Sequence, residues 1–219
     1  MFDPVALRQG LLDDGWLNFD WKRSSPPKGW GKFGQQAKIK PWHAHHTLYV
    51  TASDQRQVEA ICGYLNACAS RFGVDYAYVD SLAEGYKDYG VICNAAPYRS
   101  EIMIPSVKLH KNLPDILWFQ VFGPPYVRLF GLDKLLTAPA YKVEQLGPEM
   151  VSIQLSESLF DMHERYEEVN LVRQRVKVHL DDNIFFNPAK PEGHVYRTPD
   201  FQFPPRPEGA APGPMVEAS

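Results

Sequence analysis

The sequence predicts an α+β protein: an antiparallel-rich sheet with helices packed on it, a single domain over residues 1–186, and a Pro-rich extended C-terminal tail over residues 187–219. Three observations lead there. Short stretches of alternating β-branched and aromatic residues are interleaved with helical periodicities, and their order mixes hairpins with separate helices instead of repeating a strand–helix–strand unit. The 44% hydrophobic and 22% charged shares of the 219 residues are those of a globular chain long enough to bury one sizeable core. Beyond Phe186 come Pro188, Pro191, Pro199, Pro204, Pro205, Pro207, Pro212 and Pro214, a density that no strand ladder tolerates.

Taken in order, Val5 to Leu12 reads as a short helix behind Pro4, ended by Asp13-Asp14-Gly15. From Leu17 to Trp42 the residues Trp21, Trp30, Phe33 and Trp42 sit among Lys22, Arg23, Lys28, Lys32, Lys38 and Lys40, with Pro26-Pro27 and three glycines. That density of Gly and Pro predicts a basic aromatic loop segment over 17–42. His45 to Thr51 alternates as a half-buried strand does. Asp54 with Gln57 resembles a capping box, and Val58, Ile61, Cys62, Leu65, Cys68, Ala69 and Phe72 recur at helical spacing up to Gly73.

Asp75 to Asp80 predicts a strand, with Gly90 to Asn94 and Glu101 to Ile104 as further candidates. Leu113 to Phe122 is apolar on both faces, as a central strand covered on both sides would be. Pro124-Pro125 opens a helix carrying Tyr126, Leu129, Phe130, Leu132, Leu135 and Leu136, stopped at Ala138-Pro139. Tyr141 to Leu146 and Met150 to Leu155, joined through Gly147-Pro148, predict a hairpin. Ser158 with Asp161 caps a last long helix. Its inner face is Leu159, Met162, Tyr166, Val169, Val172, Val176 and Leu180, and its outer face Asp161, Glu164, Arg165, Glu167 and Glu168. In the tail, Val195, Tyr196, Phe201 and Phe203 are expected to lie against the domain and the last ten residues to be mobile.

Composition narrows the function. Cys62, Cys68 and Cys93 form no C-x-x-C and suit a reducing compartment; the first two, six residues apart on different sides of a helix, read as small core residues. Met1-Phe2-Asp3-Pro4 lacks a signal pattern and no apolar run approaches the ~18–20 residues of a membrane span, so a cytoplasmic protein without membrane partners is expected. A formal net charge of −3 argues against general nucleic-acid binding, and no direct nucleic-acid contact is expected. Residues 21–42 have the composition of a single-strand platform, yet a loop with tryptophans in the core and lysines in water is the favoured reading.

Gly29-Trp30-Gly31-Lys32-Phe33-Gly34 spells G-x-G-x-x-G, but with no strand before it and no helical pattern after it the glycines read as plain loop. His43, His45 and His46 are the best metal candidate, because alternate strand residues share a face. They support the alternative of a metal-dependent hydrolase. No third ligand is evident near them. The absence of an acid/base pair, a cofactor fingerprint and a complete metal set leads to the expectation of no catalysis, no cofactor and no bound metal.

Acidic residues recur at Asp13, Asp14 and Asp20, at Glu84 and Asp88, from Glu157 to Glu168, and at Asp181 and Asp182. They form either a solvated face or a surface that meets a basic protein such as a nuclease. On the second reading the partner-binding candidates are Asp13, Asp14, Glu84, Asp88, Glu164, Glu167 and Glu168.

The strings Leu113-Pro114-Asp115-Ile116-Leu117-Trp118, Phe122-Gly123-Pro124-Pro125-Tyr126-Val127-Arg128-Leu129-Phe130-Gly131 and Leu135-Leu136-Thr137-Ala138-Pro139-Ala140-Tyr141 resemble bacterial immunity proteins, most of all the immunity protein 52 family. The likeness spans roughly residues 45–186. It implies an antitoxin that inhibits a cognate nuclease-type toxin of restriction-endonuclease fold, such as a type VI secretion effector, by occluding its active site or blocking an assembly it needs. Phe122 to Tyr126 reads as fold-specifying, since a strand turning sharply into a helix needs Gly and Pro there.

Overall fold

A computed structural model of the chain describes residues 5, 9, 13, 16–36, 43–81, 109–186 and 195–203. The expected strands at 90–94 and 101–104, together with Cys93, Asp14, Glu84 and Asp88, lie outside these residues, as does the tail beyond Phe203. The class is α+β, with two antiparallel sheets and five helices among the described residues. The chain divides into two compact units, residues 1–53 with 202–219 and residues 54–201.

The first unit holds β1 (Trp16–Arg23), β2 (Gly29–Gln36) and β3 (His45–Val50), paired antiparallel in that order. The expectation of a loop over 17–42 therefore fails at 17–23 and 29–36, which are strand, while 37–42 lie outside the described residues. Pro26 and Pro27 lie in the β1–β2 turn, where the Arg23 guanidinium donates to the carbonyls of Ser25 and Pro26 at 3.2 and 3.1 Å. The segment's glycines sit inside β2 for a steric reason: Gly31 pairs with Trp21, and a Cβ there would stand 2.4 Å from the Trp21 ring. The period-two signal was present in Leu17, Phe19 and Trp21, alternating with Asn18, Asp20 and Lys22. Ahead of the sheet, the described residues Val5, Gln9 and Asp13 are helical, Asp13 included, where the helix is expected to end.

The second unit opens with α1 (Gln55–Phe72), whose ends are those the sequence predicts. The Gln57 N–H donates to the Asp54 carboxylate at 2.9 Å, and the Gly73 N–H closes the last turn on the Ala69 carbonyl. Cys62 and Cys68 are half-buried on this helix and do not belong to the core; burial, with Glu59 nearby, pushes the Cys62 thiol up to about 12. β4 (Tyr76–Val79), β5 (Phe119–Phe122), β6 (Lys142–Gly147) and β7 (Met150–Gln154) form the sheet β4-β5-β7-β6. The long strand expected over 113–122 shrinks to four residues. Residues 113–118 are buried but irregular, with Leu113 in a parallel bridge to Phe185. The β6–β7 hairpin forms where it is expected.

Phe122 to Tyr126 turns from β5 into α2 (Pro124–Phe130). A Cβ on Gly123 would stand 1.9 Å from the Val74 carbonyl oxygen, so only glycine fits, and the Gly123 N–H donates to Asp75 at 2.9 Å. Phe122 and Tyr126 are fully buried. The single helix expected over 124–136 is broken at Gly131, φ 92°, into α2 and α3 (Leu132–Leu136).

The last helix is also in two pieces, α4 (Asp161–Glu164) and α5 (Tyr166–Leu180), because Arg165 leaves the helical region at φ −134°, ψ 40°. The Ser158–Asp161 cap serves the short piece. The Ser158 N–H donates to the Asp161 carboxylate at 3.2 Å, which draws Asp161 off its expected outer face and into burial. After α5 comes a 3-10 turn (Asp182–Ile184), and residues 195–203 carry neither helix nor strand. Phe201 packs edge-on against Tyr126 and His110, and Phe203 against His43, whereas Val195 is 86% exposed and touches little.

Candidate partner-binding site

The orientation of α5 is set by what it buries. Val169, Val176 and Leu180 enter the core, and Arg173, fully buried, donates from Nε to the Ile116 carbonyl at 2.8 Å. Lys177 pairs with the buried Asp115 at 3.2 Å. With that face committed, Glu167, Glu168, Leu171, Gln174, Arg175 and Val178 stay exposed, and Glu164 continues their acidic end. Leu171 and Val178 are 62% and 75% exposed. They are seven residues apart, two turns along one side of a helix, so they form an aliphatic line flanked by charge.

At the start of this face Arg165 organises the carboxylates. It grips Asp161 twice, at 3.0 and 3.2 Å, and reaches Glu168 at 3.4 Å. The Arg165 hydrogen bond holds the Asp161 carboxyl below its usual range against the opposing effect of burial. Glu167 and Glu168 also sit in the first turn of α5, where the helix dipole favours negative charge. Beside the helix lies an open groove of about 390 Å³, lined among others by Tyr141, Glu157, Arg165, Glu168, Val172 and Arg175. Tyr141 is 55% exposed at its edge. Acidic groups around exposed aliphatics, with a Tyr and an Arg to hand, are suited to docking a protein surface and include anchor types that dominate such interfaces.

No family model, curated protein or solved structure matches this chain. Geometry alone therefore ranks its surfaces.

Of the acidic candidates, Glu164, Glu167 and Glu168 are exposed and near one another in the chain, and Glu168 pairs with Arg165. Asp13 is exposed, accepting from Gln9 at 2.9 Å, and belongs to the first unit. Leu171, Val178, Arg175 and Tyr141 were missed. The signal for the aliphatic pair was available, because neither residue falls on the inner stripe of Val169, Val172, Val176 and Leu180.

The histidines do not assemble as the alternate-residue argument expects. β3 starts only at His45, whose ring lies against Gly34, while His46 accepts from the Trp21 indole at 3.3 Å on the opposite face. Burial first lowers both pKa values, helped by Lys32 at His45 and by His45 at His46. Among the described residues no three His, Cys, Asp or Glu side chains come together as a metal site. His163 shares a 2.7 Å hydrogen bond with Ser81, and His179 bonds the Lys134 carbonyl at 2.8 Å. Among the described residues no helix is long and apolar enough to cross a membrane.

Proposed function

We propose that this protein is an immunity protein that binds and neutralises a nuclease-type bacterial toxin in the cytoplasm, acting by occupancy and without chemistry of its own. The observation that carries the reading is the outer face of α5, where Glu167 and Glu168, preceded by Glu164 at the end of α4, lead into the exposed Leu171 and Val178. A nuclease holds phosphates on a basic surface, and an acidic face on a rigid helix complements it, speeding encounter and disfavouring wrong partners. The aliphatic pair supplies area that excludes water once the surfaces meet. The likeness of residues 113–141 to immunity proteins supports the same reading.

The inhibitor would bury ~1,200–2,000 Å² against the toxin, either over its active site or over a surface it needs for assembly. Co-expression with the toxin encoded beside it is the test. Wild-type protein should restore growth, and the triple substitution Glu164→Lys, Glu167→Lys, Glu168→Lys should not. Killing that is equal with and without the wild-type protein rejects the function. Protection by the triple variant as complete as by wild type rejects the site.

A further inference from the structure

The three-stranded sheet of the first unit carries a separate surface. Residues directly paired across antiparallel strands share a face, as do residues i and i+2 along one strand. The register therefore places Lys22, Trp30 and Tyr49 in one row and Asp20, Lys32 and Thr47 in the next, on the same face. His45, paired with Gly34, continues it. The other face carries Phe19, Trp21, Phe33 and Leu48, with His46 beside Phe33 and Arg23 at the strand end. Of the six lysines and arginines between Trp16 and Val50, Lys22 and Lys32 lie on the first face, with Asp20 as its carboxylate, in a chain whose net charge is −3.

Two aromatic features belong to the basic face. The Trp30 and Tyr49 rings are stacked, with centroids 4.2 Å apart and planes 18° apart. The His45 ring covers the Gly34 backbone so closely that a Cβ there would lie 2.3 Å from its Cε1, and the residue is exposed. Burial against the sheet and the Lys32 charge lower the His45 pKa, so the ring stacks as a neutral one while the lysines supply the charge.

We propose that this face binds single-stranded nucleic acid, with bases stacking on the Trp30–Tyr49 pair and on His45 while Lys22 and Lys32 hold phosphates. Unpaired bases offer the flat faces that such rings take, whereas the bases of a duplex are already stacked on one another. An acidic peptide would satisfy the lysines and leave the rings without a counterpart. Three strands about 4.8 Å apart span roughly 10 Å, room for two or three nucleotides. Contacts to ring faces and phosphates carry little sequence information, so binding is tolerant of sequence. The net charge of the whole chain hides this surface because, Asp20 apart, the acids lie elsewhere in the sequence. The proposal does not depend on the role of α5.

The test uses the full chain and a labelled oligothymidylate of about twelve nucleotides, followed by anisotropy and by tryptophan emission. Binding should quench emission and weaken with salt at a log–log slope of about −0.7 per lysine engaged. The corresponding duplex should bind about tenfold more weakly, and Lys22→Ala with Lys32→Ala should lower single-strand affinity by about tenfold. Absence of binding at low salt overturns the proposal, as does equal affinity for strand and duplex. Heparin binding as tightly as the oligonucleotide, without any quenching by the latter, also overturns it by reducing the face to a general anion patch. The strand-against-duplex comparison uses wild-type protein only, so it decides the matter even if the double variant fails to fold.

Discussion

Lys177 and Asp115 form a 3.2 Å ion pair between side chains only 12% and 6% exposed, so a turn of α5 is held to the segment before β5 by charges inside the core. The Asp115 carboxylate also accepts the Ile116 N–H at 2.7 Å, and one turn earlier Arg173 bonds the Ile116 carbonyl. Removing one member of a buried pair leaves the other charge desolvated. Asp115→Ala should therefore destabilise the fold by about 3–5 kcal/mol in urea unfolding. Asp115→Leu combined with Lys177→Met should cost less than Asp115→Ala alone. A loss below about 1 kcal/mol for the single variant would mean that the pair is solvated.

Gly31 and Gly34 each lie beneath a ring of a neighbouring strand. Gly31→Ala should destabilise the three-stranded sheet by about 1–3 kcal/mol, because the Trp21 ring must leave its place. Gly34→Ala should cost less, since His45 is exposed and its ring can swing away. Thermal unfolding followed by tryptophan emission orders the two.

Glu167→Lys with Glu168→Lys should lower the association rate with the toxin by about tenfold at low salt and flatten its salt dependence. The fold should lose only about 1–2 kcal/mol, mostly from placing positive charge at a helix N-terminus. Leu171→Asp should raise the dissociation rate instead, being a change in the interface interior. Surface-capture kinetics separate the two effects.

Two carboxyl groups tie stability to acid. Arg165 holds Asp161 below its ordinary range; at Asp181 burial acts upward, but the Asn183 N–H and Arg197 outweigh it and the net shift is also downward. A group whose folded pKa is depressed contributes stability that is complete above its unfolded value, near 4, and is lost as pH falls below that. Stability should therefore be level from neutral pH to about 5 and fall below about 4. The double variant Asp161→Asn, Asp181→Asn should be less stable at pH 7 and show a shallower acid limb, measured by urea unfolding across that window.

Tyr126 is fully buried, and its hydroxyl has no hydrogen-bond partner among the described residues; burial, with Asp75 nearby, pushes its pKa up, so it stays protonated. Tyr126→Phe should be neutral or stabilising by up to about 1 kcal/mol, since it removes an unsatisfied buried polar atom. Tyr126→Ala should cost about 3–5 kcal/mol through the cavity left among Tyr76, Phe122, Phe130 and Phe201. A marked loss in the Phe variant would reveal a partner for the hydroxyl.

Much of the fold was legible one element at a time. Asp54, Gln57 and Gly73 mark both ends of α1, and Gly147-Pro148 marks the β6–β7 hairpin, because caps and turns are settled by residues within a few positions of one another. The β1–β2 hairpin was misread for the same reason. A glycine covered by a ring from another strand looks, in one dimension, like a glycine in a loop. Of the candidate surface, Glu164, Glu167 and Glu168 were visible as an acidic run, but Leu171 and Val178 became meaningful only once the buried face of α5 was known.

By itself the sequence determined the α+β class, the two ends of α1 and the β6–β7 turn, all consequences of local periodicity and backbone chemistry. Only the tertiary structure decided that Asp115, Arg173 and Lys177 are core residues and that Trp21, Trp30, Lys22 and Lys32 share a sheet. Arg173 and the carbonyl it satisfies are 57 residues apart, and whether a charge is buried depends on a partner that folding alone brings to it.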